Sequence, residues 1–176
     1  GIDSHPLVRA LWLPRVMESV RWIGAEVAKD AAAGRHIVAV ETRGEVVLGG
    51  ITLSGTADRL DRLADGGIAI VDYKTGKPPT ATQVKAGFAL QLGLLGVIAE
   101  AGGFEGWEAG TQAAAFEYWS LAKGRAGFGY RAIPVKPGGS DKIVATEKLT
   151  AHAAAKFLEA ADQWLTGDAP FPAQLN

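Results

Sequence analysis

Two short runs carry residues whose types and spacing suit phosphoryl chemistry at a metal ion: Gly55-Thr56-Ala57-Asp58-Arg59-Leu60-Asp61, and Ile70-Val71-Asp72-Tyr73-Lys74-Thr75-Gly76. Asp58 and Asp72 offer hard carboxylate oxygens, and with the Tyr73 backbone carbonyl they would suit Mg²⁺ or Mn²⁺, ions that prefer oxygen ligands and keep several waters. A lysine beside them, Lys74, can orient one of those waters or stabilise charge that develops on a phosphoryl oxygen. These are the parts of a metal-dependent phosphodiesterase, provided that the chain brings them together.

A β-hairpin would do so. Residues 51–63 alternate in a broken strand pattern, residues 64–67 (Ala-Asp-Gly-Gly) supply turn chemistry, and residues 68–74 are β-branched and aromatic-rich. With the loop centred near Asp65, opposed positions have numbers that sum to about 130, which sets Asp58 across from Asp72. Strand alternation then puts Ile68, Ile70, Asp72 and Lys74 on one face, and Ala69, Val71 and Tyr73 on the other. A slip of one residue would turn Asp58 away. Two carboxylates about 4 Å apart repel by roughly 4 kcal/mol at an effective dielectric near 20, so a compensating cation is needed. Spacing alone also admits a plainer arrangement, with Asp58 and Lys74 as a cross-strand ion pair and Asp72 ending a strand beside a turn.

The order of the two runs, followed by Gln91 on a helix, resembles the RecB-type branch of the PD-(D/E)XK nuclease superfamily, in which a Gly-x-x-Asp strand precedes an Asp-Tyr-Lys strand. Trp12-Leu13-Pro14-Arg15, Trp22, Val40-Glu41, Gln83-Val84, Gln91-Leu92 and Gly102-Gly103-Phe104 are most similar to the C-terminal nuclease domains of the AddB family, subunits of bacterial AddAB helicase-nucleases. The resemblance covers about residues 6–121 and implies a restriction-endonuclease-like fold. It implies Asp58 and Asp72 as metal ligands, the Tyr73 carbonyl as a backbone ligand, Lys74 as the catalytic lysine, and Gln91 and Glu41 as accessory residues. Gln91 would hydrogen-bond the lysine or a phosphate, the other reading being a solvated helix residue. The resemblance further implies cleavage of DNA, on a single strand delivered by a motor, an AddA-like helicase-nuclease partner, and a role in processing double-strand breaks for recombination. A catalytically silent module that keeps the fold for a structural or DNA-guiding role is the alternative.

Three departures from the family pattern stand out. A histidine on a helix ahead of the sheet is usual as a further ligand, but the upstream histidines here are His5, beside Pro6 at a helix start, and His36. The ligand is therefore expected ahead of Gly1, with weaker metal binding in this chain. Some relatives hold an iron–sulfur cluster with four cysteines, and this chain has no cysteine. Relatives also carry a tyrosine four residues beyond the glutamine, where Leu95 stands.

At 176 residues, 48% hydrophobic and 21% charged, the chain is expected to form a single domain, cut from a longer polypeptide. It can bury roughly 70% of its unfolded surface without disulfides. No apolar run suits a membrane span and no signal-like segment opens the chain, so a cytoplasmic location is expected. A net charge of −1 gives no global field toward DNA, so nucleic-acid contact must be local. Arg59, Arg62, Lys74, Lys77 and Lys85 gather around the motif. Lys123, Arg125, Arg131 and Lys136 form an acid-free run interleaved with Phe128 and Tyr130, suited to a single strand's phosphates and bases or to a solvated hairpin. No Gly-x-x-x-x-Gly-Lys loop is present, which argues against a nucleotide-binding enzyme.

The elements that would position the site follow from periodicity. Trp12, Val16, Val20, Ile23 and Val27 predict an amphipathic helix over 6–32, with its tryptophans in the core. A strand or hairpin is expected over 36–48, and one helix over 80–101 with an apolar face of Val84, Phe88, Leu92, Leu95 and Ala99. Strands are expected over 111–121 and 128–134. A closing helix over 147–166 carries Phe157, Leu158, Ala161, Trp164 and Leu165, with His152 at or near its surface. The order predicts an α/β fold, a mixed central sheet flanked by helices.

Overall fold

A computed structural model describes residues 6–166, with side chains over 12–164. Helix α1 (Pro6–Ala32) is followed by β1 (His36–Leu48), β2 (Ile51–Arg62) and β3 (Ile68–Lys74). Two helices, α2 (Ala81–Lys85) and α3 (Gln91–Glu100), lead to β4 (Ala113–Gly124) and β5 (Gly127–Ala132), and α4 (Leu149–Ala161) closes the fold. The strands form one five-stranded sheet in chain order, antiparallel throughout except for β3 and β4, which run parallel. The α2–α3 segment is the crossover that a parallel pair requires. This is the mixed sheet with flanking helices that the sequence predicts. Among the described residues no helix is long and apolar enough to cross a membrane.

The two faces of the sheet bury different chemistry. Leu60, Ile70, Leu92, Leu95, Ile98, Phe116 and Leu149 belong to one apolar core, which α3 and α4 cover. Glycine sets how closely these helices approach: a Cβ on Gly93 would lie 2.5 Å from the Ala153 Cβ, and one on Gly55 would lie 3.1 Å from Leu95 Cδ2. The opposite face, toward α1, buries charge. Arg35 bonds Asp61 at 2.7 Å and Glu117 at 2.6 Å, and Arg59 bonds Asp61 at 2.7 Å. Arg131 reaches Asp30 at 2.8 Å and Glu26 at 3.0 Å on α1. The guanidinium groups of Arg59 and Arg131 both stack on Trp119, 4.1 and 4.4 Å from its ring centre.

Of the two arrangements open for residues 36–48, the single strand is the one that forms. Other elements depart from the sequence expectation. The helix expected over 80–101 is broken: Gly87 takes φ 86°, Phe88 is 86% exposed, and a new helix starts at Gln91. In the closing helix Leu149, Ala153 and Ala161 are buried; of the expected stripe Ala161 is buried, Phe157 is part-buried and Leu158 is exposed, and beyond Ala161 the chain loosens into a π turn. Trp22 packs edge-on to Trp119, but Trp12, Val16 and Val20 are exposed, so α1's apolar stripe is only partly core.

Candidate active site

The β2–β3 pairing has Arg59 opposite Val71, Leu60 opposite Ile70 and Asp61 opposite Ala69. The expected register therefore holds, and its continuation sets Asp58 across from Asp72. One feature was not legible in the alternation. Gly55 and Ala57 lie against the apolar core, as does Leu60, whereas Arg59 and Asp61 join the charged layer on the other face. Alternation thus slips by one between Ala57 and Leu60, at Asp58. Opposite the slip, β1 pairs Val40 with Arg59 and Thr42 with Ala57, skipping Glu41 and Asp58, and Glu41 is the only non-glycine with positive φ (48°) among the described residues.

Four of the residues singled out by sequence meet here. Asp58 Oδ2 accepts a hydrogen bond from the Tyr73 backbone N–H at 2.8 Å, which joins the ends of β2 and β3. Lys74 Nζ lies 2.8 Å from Asp72 Oδ2 as an ion pair, and donates to Gln91 Oε1 at 3.1 Å. The pairing of the lysine with Asp72, two positions away on the same face, replaces the Asp58–Lys74 cross-strand pair that spacing also allowed. Gln91 is the first residue of α3, placed by the close packing of that helix between sheet and α4.

Asp72 is 2% exposed, and its buried Oδ2 is met by the Lys74 ammonium as an ion pair, with no further hydrogen-bond donor on that oxygen. Burial raises the Asp72 pKa above the ordinary carboxylate value, the Lys74 ammonium pulls it back, the Asp58 charge raises it again, and the Gln91 amide lowers it. A buried, under-bonded carboxylate oxygen beside a second carboxylate is a donor set that fits a hard divalent cation.

Tyr73 divides its contacts. Its amide holds Asp58, while its hydroxyl accepts from Arg59 Nη1 at 3.0 Å on the opposite face. Glu41 is exposed and makes no hydrogen bond or ion pair with the other four among the described residues. Nor do three histidines, cysteines or carboxylates converge anywhere among them. His36 pairs with Arg62 at the far end of the hairpin, and His5 lies outside the described residues. His152 is part-buried on α4, with Nε2 unbonded.

The basic cluster expected around the motif disperses. Arg59 is buried in the charged layer, Arg62 stacks on Trp107 at 4.6 Å, and Lys85 donates to the Ser140 and Asp141 carbonyls. Charge counting along a chain does not see which face a strand residue takes. Sequence reasoning also missed Tyr118, which pairs with Asp72 across the parallel β3–β4 step. Its hydroxyl is buried without a partner, and Lys74 Nζ lies 5.7 Å from its ring centre. Burial and then the Asp72 charge push this phenol far up, so it stays protonated. Strand parity was the one available signal.

The family model for the PD-(D/E)XK nuclease superfamily matches residues 4–174, nearly the whole chain, and the chain belongs to that superfamily. No curated protein matches it.

Proposed function

We propose that this domain hydrolyses DNA phosphodiesters with Mg²⁺ or Mn²⁺ held by Asp58, Asp72 and the Tyr73 carbonyl. It acts on a single strand as the nuclease part of a cytoplasmic helicase-nuclease that processes double-strand breaks, with an AddA-like helicase subunit as partner. The observation that carries this reading is the meeting of Asp58, the under-bonded Asp72, Lys74 and Gln91 at one end of the β2–β3 pair, in a chain that belongs to a nuclease superfamily.

A bound cation supplies Lewis acidity toward a phosphoryl oxygen and toward a water nucleophile. The protein does the positioning. An ammonium has three donors, and Asp72 and Gln91 engage Lys74 from two sides, leaving donor capacity for the attacking water or a phosphate oxygen. Fixed there, its charge needs no reorganisation when negative charge builds on phosphorus-bound oxygen. Gln91 orients the pair, since its carbonyl holds Lys74 while its amide favours charged Asp72. The Tyr73 amide fixes Asp58 in the same way. Glu41, on β1 between the residues that pair with Arg59 and Ala57, serves as the accessory acid.

Labelled single-stranded DNA incubated with Mg²⁺, Mn²⁺ or a chelator tests the reading, comparing the parent with Asp72→Ala and Lys74→Ala. Cutting that requires metal and vanishes in both variants is the expected result. A parent that binds neither metal nor cuts would instead establish a silent nuclease-fold module.

A further inference from the structure

Helix α1 leaves part of its apolar stripe uncovered by the described residues. Trp12 is 68% exposed, and Val16 and Val20, one and two turns on, are exposed on the same side. With Leu121 and Phe128 of the β4–β5 hairpin they wall a groove of about 400 Å³. Arg15 and Lys123 stand on its walls, and neither makes an ion pair among the described residues. Glu18 joins them at one margin. Residues 118–140 contain no acidic side chain, and exposed Arg125 in the hairpin turn adds positive charge. Of the basic run, Arg131 alone is spent on the buried ion network.

An exposed indole, a half-buried phenyl ring and unpaired cations along one groove match a single strand of nucleic acid, whose bases stack while its phosphates seek positive charge. A purely apolar protein-docking face would have no use for those cations. The position of the groove adds a second argument. Thr75 lines it and directly follows Lys74, so the groove reaches the C-terminal end of β3, where ligands of open α/β sheets gather.

We propose that this groove is the approach path of single-stranded nucleic acid. Bases stack on Trp12 and Phe128, phosphates meet Arg15 and Lys123, and the strand passes over the end of β3 to Asp72 and Lys74. The last clause rests on the nuclease reading; binding in the groove does not.

The test is fluorescence anisotropy of labelled oligo(dT) with the 176-residue chain in chelator across a salt series. Trp12→Ala and Phe128→Ala should each weaken binding about tenfold. Arg15→Ala with Lys123→Ala should flatten the log-log salt slope by about 1.4, at roughly 0.7 per lost phosphate contact. Oligo(dT) should quench tryptophan emission in the parent and fail to do so in Trp12→Phe. Unchanged oligo(dT) affinity and slope in the variants overturn the proposal and leave the face to a protein partner, even if the parent cuts DNA. Groove-dependent binding without cleavage in any metal would uphold the path and sink the nuclease reading.

Discussion

Replacing Asp72 by Asn removes a charge and keeps the shape, and the structure says which way stability should move. In the parent, burial disfavours the Asp72 charge, and its Oδ2 has no hydrogen-bond donor besides the Lys74 ammonium, a desolvation cost of about 1–3 kcal/mol. Against this stands the ion pair to Lys74, whose side chain is 31% exposed, so solvent limits its worth to about 0–1 kcal/mol. Asp72→Asn should therefore stabilise the metal-free domain by about 1–2 kcal/mol, raising Tm by about 2–8 °C for a chain of this size. Metal reverses the order. At a Mg²⁺ concentration of ten times Kd the parent gains about 1.4 kcal/mol and about 3–6 °C, and the variant gains nothing and cuts nothing. The pH dependence has a defined sign. Burial raises the Asp72 pKa, so its contribution is fully present below the unfolded carboxylate value and is lost as pH rises through the folded one. The parent-minus-variant difference, in which other acids cancel, should thus fall with rising pH above about 4. Differential scanning calorimetry in chelator and in Mg²⁺ measures all of this. A variant less stable than the parent in chelator at pH 7 would refute the reasoning, since Asp72 would then be a structural partner of Lys74.

Asp61→Ala leaves the guanidinium groups of Arg35 and Arg59 without their shared carboxylate; a loss of about 3–5 kcal/mol is expected, visible as a lower denaturation midpoint with or without Mg²⁺. Tyr118, raised by burial and by Asp72, should fail to ionise in an ultraviolet titration until the domain unfolds. Its stabilising preference for the neutral phenol holds below the unfolded value of about 10 and is lost above it, and Tyr118→Phe should delete the late step. Glu41→Asn suits the left-handed backbone at this position and should leave stability unchanged or raise it by up to about 1 kcal/mol; with Glu41 as accessory acid, DNA cleavage should nevertheless fall.

The hairpin was readable because three local signals agreed: β-branched residues before Asp72, turn residues around Asp65, and a glycine with φ 88° at position 66. Register followed from loop length, and with it the approach of Asp58 to Asp72. Gln91 was placed beside Lys74 from resemblance rather than from geometry. The failures share a cause, since periodicity records which residues are apolar and not what covers them. Trp12, Phe88 and Leu158 sit at helical spacing yet lie exposed, Trp12 on a face that nothing described covers and Phe88 just past Gly87, where the left-handed backbone ends α2. Likewise Arg59 and Arg131 counted as surface cations until the sheet's second face proved to be a charged interior. For Tyr118 strand parity was the available signal, and its pairing with Asp72 follows only once β4 is known to run parallel to β3.

That charged interior and the active face are parts of one device, because a single run of residues serves both. Strict alternation from Gly55 would send Arg59 and Asp61 into the apolar core and Leu60 into the charged layer. The slip at Asp58 corrects this, letting Ala57 and Leu60 both join the apolar core while Arg59 and Asp61 anchor α1's side through Arg35 and Asp30. Its cost falls on Glu41, whose left-handed backbone stores about 1–2 kcal/mol, and the buried ion pairs on the far face hold the strand against relaxing. With β2 pinned from behind, the Asp58 carboxylate stays on the Tyr73 amide, within electrostatic reach of Asp72 and its Lys74 partner. A strand free to slide would turn Asp58 to the other face, so the Arg-x-Asp half of the motif maintains the geometry that the Asp-x-Lys half uses.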